Sequence, residues 1–180
     1  MTFKILCDKN YNILENVSEK TFILMRKMII SNILHTDMKK HFNMIKDFEF
    51  QSKEIKENPE ETFNKSEQAK LLFSGIMIHS CDLYSATKKF NYAQEWSRKV
   101  NEEFTMQTQD EAKLGLPVTP YMKDLDKVAV LAKAEIGFIK FVQRPVWNTV
   151  NIFFDNQLAF ILGNIDDNIK KWEEILNKNT

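Results

Sequence analysis

The scarcity of glycine and proline restricts the fold of this chain more than any other feature. Only four glycines and four prolines occur in 180 residues, so few positions can end a helix or turn the chain sharply. No alternation of polar and apolar residues, which is typical of strands, persists along the sequence. Apolar residues instead recur at helical spacing. One such set follows Ser18, a good helix cap, and comprises Phe22, Met25, Ile29 and Ile33.

This pattern predicts a single all-α domain over residues 1–180, folded as an irregular bundle of six or seven helices. Coiled-coil heptads are not sustained. The polar segment 52–65 contains Pro59 and is interpreted as a solvated linker, with a short helical turn left open as an alternative. The first predicted helices cover residues 18–34 and 38–48, and a third starts after Ser66. A fourth covers 91–113 and ends before Gly115 and Pro117. A fifth runs from Asp124 or Asp126 to about Gln143, before Pro145, and the last ends near Leu176.

The charge balance excludes two classes of partner. Lysine plus arginine number 25, as do aspartate plus glutamate, so the formal net charge is zero. A neutral chain without a basic patch is not expected to bind nucleic acid or an anionic membrane surface. Fourteen phenylalanines predict a large aromatic interior or an apolar surface that another protein covers.

The cysteines and the termini point to a cytoplasmic protein. Cys7 and Cys81 show no metal-binding spacing, and free thiols are favoured over a disulfide. Charged residues interrupt the N-terminus too early for a signal peptide. No apolar run approaches the roughly 20 residues of a membrane span.

Five blocks of residues stand out in order along the chain. They are 12–30, 34–42, 78–83, the set Trp96, Glu102-Glu103-Phe104, Gln107, Glu111, Gly115-Leu116-Pro117 and Pro120, and 136–147 with Gly137, Phe138, Pro145 and Trp147. Two blocks contain short motifs: Thr36-Asp37-Met38 followed by His41, and His79 followed by Asp82-Leu83. Together the blocks resemble the catalytic domain of class I cyclic-nucleotide phosphodiesterases, specifically its C-terminal half.

The resemblance implies an all-helical, HD-type domain in which two divalent metals, usually zinc and magnesium, hydrolyse a cyclic phosphate. Asp82 stands at one metal-ligand position. The family's other ligands belong to a His-x-x-x-His segment and a His-Asp pair, and His35, His41 and His79 form neither. A catalytic zinc needs about three protein ligands, so this chain alone is not expected to hold the metals.

The resemblance also assigns residues around the metals and the base. Thr36, Asp37, His41 and His79 are expected near the metal site. Glu135, Phe138, Val100 and Phe104 are expected to line the nucleotide pocket. For Thr36, Asp37 and His41, the competing interpretation is ordinary polarity at a helix junction. Phe138 equally suits a simple core position.

Several positions depart from the family pattern. Glu135 replaces the glutamine that fixes the purine edge, and a carboxylate can only accept hydrogen bonds. Adenine needs a donor and an acceptor opposite it, so we expect an unpaired, costly carboxylate there. His35 replaces a small residue, Ser85-Ala86 replaces Asn-Pro, and Thr108 replaces glycine.

Three functional hypotheses follow. In the first, the chain is a phosphodiesterase-derived helical module, inactive alone, that acts by associating with another protein through an exposed apolar face. In the second, it is half of a phosphodiesterase for cAMP or cGMP that another segment or chain completes. In the third, it binds a cyclic nucleotide for regulation without hydrolysis.

Overall fold

The computed structural model describes residues 2–179, most of which are helical and none of which forms a strand. This confirms the predicted all-α class, with nine α-helical segments in the described range rather than six or seven. The α-helices are α1 (Thr2–Leu6), α2 (Glu19–His35), α3 (His41–Glu57), α4 (Pro59–Lys65), α5 (Glu67–Asp82), α6 (Phe90–Lys113), α7 (Val128–Phe138), α8 (Arg144–Phe153) and α9 (Ala159–Lys178). Short 3₁₀ turns cover Met38–Lys40, Ser85–Thr87 and Pro120–Met122, and a π-helical turn, Ile139–Gln143, joins α7 to α8.

Two predicted helix starts are confirmed by their capping hydrogen bonds. The Ser18 hydroxyl accepts from the Thr21 amide at 3.2 Å, and the Ser66 hydroxyl accepts from the Ala69 amide at 3.0 Å. Each serine satisfies a backbone donor that the first helical turn leaves free. These local signals place the N-termini of α2 and α5.

The prediction of a solvated linker at 52–65 is wrong, and the helix there is longer than the short turn that the sequence left open. The end of α3 and the whole of α4 occupy it, separated only at Asn58. Within this otherwise polar stretch Ile55 and Thr62 are buried, and these inward-facing side chains pack the two helical segments against the rest of the fold. Pro59 lies in the first turn of α4, where its missing N–H costs no intrahelical hydrogen bond.

The region around Pro145 also differs from the prediction. The helix starts at Val128 rather than at Asp124 or Asp126. Asp124 has a φ of 59°, a left-handed conformation that cannot begin a helix. Pro145 does not end the helical path, because it falls in the first turn of α8, directly after the π-helical turn.

The core is continuous and rich in aromatic rings. Its fully buried members include Phe48, Ile76, Ala132, Ile139, Val146 and Ile165. Around Phe48, the rings of Phe63, Phe73 and Phe153 pack with centroid separations of 5.2 to 6.3 Å. This cluster confirms part of the aromatic interior that the phenylalanine content predicted. It joins α3, α4, α5 and α8.

Helix α2 differs from the other long helices. It packs along α5, yet none of its residues is buried. Large apolar side chains stand exposed on it, namely Ile23, Leu24, Ile33 and Leu34. We call these four residues the α2 apolar face. Exposed apolar surface on such a scale marks places where another molecule packs.

The contact between α2 and α5 depends on Gly75. A Cβ atom at Gly75 would lie 2.6 Å from Cγ of His35. We expect Gly75→Ala to lower the free energy of unfolding by about 1–3 kcal/mol, since the rigid imidazole has to move. Gly163→Ala is the matched control, because nothing lies within 4 Å of a Cβ there. Chemical denaturation should show that the control is neutral or stabilising, and equal losses in both variants would contradict the packing argument.

Candidate functional site

The end of α5 presents one side chain to solvent and another to the interior. Asp82 is the last residue of α5 and is exposed, whereas His79, one turn earlier, is completely buried. The Leu83 amide closes the helix by donating to the His79 carbonyl. A carboxylate at this end opposes the helix dipole. The Asp82 carboxylate is therefore accessible as an acceptor, and its position at the end of α5 does not stabilise the helix.

A pair of buried histidines lies behind Asp82. Nδ1 of His41 and Nε2 of His79 are 2.8 Å apart, so one ring donates to the other. Both side chains are completely buried. Nε2 of His41 and Nδ1 of His79 have no hydrogen-bond partner among the described residues. The structure thus brings together two of the residues predicted to lie near the metal site, and leaves each with an unused nitrogen.

Burial lowers the pKa of both imidazoles from the ordinary value of 6.5. For His41 the neighbouring His79 lowers the pKa further. The backbone at Val142 raises the pKa of His41, although it forms no hydrogen bond of ordinary geometry with the ring. For His79 the backbone of His35 and the charge of Asp82 raise the pKa, by less than burial lowers it. Both rings are consequently held neutral more strongly than in the unfolded chain.

This lowered pKa predicts acid sensitivity of the fold. Because the unfolded chain binds more protons than the folded chain, the free energy of unfolding falls as the pH drops below the ordinary histidine value of 6.5. The slope should reach up to about 1.4 kcal/mol per pH unit for each histidine. Urea unfolding at about pH 7.5 and about pH 5.5 measures it. Equal stability at the two values would contradict a neutral buried pair.

Thr36 and Asp37 are engaged locally at the junction of α2 and α3. The Thr36 hydroxyl donates to the Ile33 carbonyl at 2.8 Å. Asp37 accepts from the Lys39 amide at 3.0 Å and so caps the 3₁₀ turn. These bonds shape the turn that leads to His41. The role of Thr36 and Asp37 near a metal stays a prediction.

Glu135 has partners, contrary to the expected unpaired carboxylate. The Ser97 hydroxyl donates to Oε1 of Glu135 at 2.7 Å, which joins α6 to α7. Nδ2 of Asn101 donates to the Ser97 carbonyl at 2.7 Å and lies 3.1 Å from the Ser97 hydroxyl. Burial raises the pKa of Glu135, while hydrogen bonds from Ser97 and Asn101 lower it by less. The carboxylate is therefore held in one orientation by α6.

The apolar residues predicted for the nucleotide pocket lie on the same two helices. Phe138, one turn after Glu135, is 40% exposed. Val100 and Phe104 are half-buried on α6. Phe138 is therefore not part of the core that residues 2–179 form among themselves, and its exposure suits a surface that receives another group. Their nucleotide contacts stay a prediction.

Gln143 is a polar residue that the sequence analysis missed. It is buried in the π-helical turn, where its Nε2 donates to the Ser85 hydroxyl at 2.7 Å. Its Oε1 has no hydrogen-bond partner among residues 2–179. A glutamine within an apolar run was the available signal, although Ser85 lies 58 residues away in sequence.

The described residues do not fit a metal site by themselves. Among them no group of three or more histidine, cysteine or acidic side chains converges on one point. Asp82 offers a single carboxylate, whereas zinc in proteins takes about three or four ligands. A metal at Asp82 would need ligands from elsewhere.

The all-helical bundle has the fold of cyclic-nucleotide phosphodiesterase domains. The model of the 3'5'-cyclic nucleotide phosphodiesterase family matches residues 1–165, and the chain belongs to that family. The structure aligns with the phosphodiesterase domain of a rhodopsin–phosphodiesterase fusion protein from the choanoflagellate Salpingoeca rosetta. The TM-score is 0.85 at 31% identity, over 98% of this chain and 54% of that one.

Relatives with curated descriptions agree. The chain is 32% identical to the dual 3',5'-cyclic-AMP and -GMP phosphodiesterase beta of Plasmodium falciparum, over 99% of this chain and 15% of that protein. It is 33% identical to the human high affinity cGMP-specific 3',5'-cyclic phosphodiesterase 9A, over 97% of this chain and 28% of that protein. The chain thus spans less than a third of these relatives.

No helix within residues 2–179 combines the length and apolar composition needed to cross a bilayer.

Proposed function

We propose that this chain is one half of a metal-dependent 3',5'-cyclic-nucleotide phosphodiesterase domain, inactive in hydrolysis alone and completed by association with a segment that supplies the histidine ligands. The observation that carries this proposal is Asp82, an exposed carboxylate at the end of α5 beside the buried pair of His41 and His79. One ligand suits a shared site and not an independent one.

The α2 apolar face supports the association. Its four residues are exposed along a helix that has no buried residue. Met38 and Phe42, next along the chain, are exposed as well. These residues adjoin the turn that carries Thr36 and Asp37, so a segment covering them would also approach the Asp82 end of α5. We propose that this segment is the one bearing His-x-x-x-His and His-Asp.

Hydrolysis in a two-component assay tests the function. The chain is mixed with the histidine-bearing segment of a related phosphodiesterase, and hydrolysis of cAMP and cGMP is followed with magnesium, manganese and zinc. We expect turnover by the mixture and none by either component alone. A stable, folded complex without turnover would overturn the proposal.

A double substitution on the α2 apolar face should disrupt the association. We expect Ile33→Asp with Leu34→Asp to weaken binding of the histidine-bearing segment at least about tenfold, because two exposed apolar side chains that the complex would bury become charges. Lys20→Asp with Glu19→Lys, on the exposed start of the same helix, is the control that changes charges alone. Light scattering after size-exclusion chromatography measures both. Unchanged association of the first variant would remove α2 from the interface.

A non-catalytic module is the second candidate. Glu135 and His35 favour it, since both replace residues that the phosphodiesterase resemblance leads us to expect. In this case the chain would still associate through the α2 apolar face. The complex would show no hydrolysis under any metal, and Asp82→Asn would change neither binding nor stability.

A further inference from the structure

The carboxylate of Glu135 is fixed in place before any ligand arrives. Ser97 donates to Oε1 at 2.7 Å, and Asn101 holds Ser97 from the next turn of α6. An ionised carboxylate has about four acceptor positions on its two oxygens. The hydrogen bonds from Ser97 and Asn101 leave about two of these acceptor positions free. Phe138 places a partly exposed ring one turn further along α7.

A fixed carboxylate distinguishes guanine from adenine, because the two bases present different hydrogen-bond donors and acceptors. The Watson–Crick edge of guanine presents two adjacent donors, the N1–H and the exocyclic amino group, which match the two oxygens of one carboxylate. The corresponding edge of adenine presents one amino donor beside the N1 lone pair. That lone pair would face a carboxylate oxygen, which cannot donate, and a buried acceptor facing an acceptor is costly.

Taking from the proposed function that the chain is half of a phosphodiesterase domain, and from the family resemblance that Glu135 and Phe138 face the nucleotide base, we infer that this site selects cGMP over cAMP. Glu135 is the residue that determines specificity by accepting both guanine donors. Ser97 is a positioning residue that keeps the carboxylate in the plane of the base. The glutamine expected at this position from the family pattern has one donor and one acceptor and can meet either purine.

Binding of the two cyclic nucleotides to the purified chain tests the inference independently of hydrolysis. Calorimetry at about pH 8, above the ordinary carboxylate range, compares the wild-type chain with Glu135→Gln and with Glu103→Gln. Glu103 is an exposed glutamate of α6 and serves as the control. We expect the wild type and the control to bind cGMP about tenfold or more tighter than cAMP, the discrimination that a bidentate pair provides. Glu135→Gln should lose that preference.

Ser97→Ala provides a second variant that leaves the carboxylate in place. We expect it to reduce the cGMP preference by about threefold or more while both nucleotides still bind, because the freed carboxylate loses its orientation. Equal affinities in the wild type, a preference for cAMP, or no saturable binding of either nucleotide would overturn the inference.

The two proposals fail separately. A cGMP preference in binding with no turnover in the two-component assay would reject the proposed function and keep the inference. Turnover of cAMP and cGMP with equal kcat/KM, unchanged by Glu135→Gln, would keep the proposed function and reject the inference.

Discussion

Replacing Phe48 by alanine is expected to lower the free energy of unfolding by about 3–5 kcal/mol. Phe48 has 0% exposure and packs against Phe153 and Phe73, with ring centroids 5.2 and 6.3 Å away. These two rings belong to two other helices, α5 and α8, so the cavity left by the truncation cannot close by moving one helix. A loss of this size is a large part of the stability of a domain of this length.

Phe50→Ala is the matched control. Phe50 lies two residues further along α3 and is 89% exposed. Its removal should change the free energy of unfolding by less than about 0.5 kcal/mol. Urea titrations of the two variants against the wild type give both values. A small effect of Phe48→Ala, or equal effects of the two, would show that the aromatic cluster does not form the core.

Asp82→Asn is expected to reduce hydrolysis by the two-component complex at least about 100-fold. Residues that merely orient a metal ligand already cost 10–100-fold when changed, so loss of a ligand should cost no less. The amide keeps the size of the side chain and removes its charge. Because Asp82 is exposed, the fold should lose less than about 0.5 kcal/mol.

Asp47→Asn controls for a general loss of negative charge. Asp47 is an exposed aspartate on α3, and its amide variant should hydrolyse cyclic nucleotides like the wild type. The initial rates of the three complexes at saturating metal provide the comparison. If Asp82→Asn retains full activity, Asp82 is not a ligand and the shared site has to be placed elsewhere.

The features predicted correctly from sequence are those that local residues determine. Ser18 and Ser66 cap α2 and α5 because a side chain bonds to an amide three residues away. Gly115, at a φ of 68°, follows α6 as the sequence indicated, since glycine tolerates the left-handed conformation that ends helices. Such signals need no knowledge of the rest of the fold.

The errors arose where tertiary packing outweighed local composition. The polar stretch 52–65 is helical because the core receives Ile55, which is 1% exposed. In the sequence, one isoleucine among charged residues is only a weak indication that the segment packs against a core. Pro145 looked like a helix end, but the π-helical turn before it lets the chain continue. Neither the docking of Ile55 nor the π turn has a local signature.

The candidate site shows the same division. The resemblance to phosphodiesterases singled out His41, His79 and Glu135 but not their contacts. His41 and His79 are 38 residues apart in sequence, as are Ser97 and Glu135. Pairings at such separations depend on how the helices pack. Ser97 was therefore overlooked, and Glu135 was expected to lack a partner.

Metal binding by the chain with and without the histidine-bearing segment tests the central claim most directly. Calorimetric titration with zinc should detect no stoichiometric site in the chain alone, because Asp82 supplies one carboxylate. The complex should bind zinc tightly, and Asp82→Asn should weaken that binding at least about tenfold. One equivalent of zinc bound by the chain alone and lost in Asp82→Asn would contradict the account, since the chain would then carry a complete site of its own.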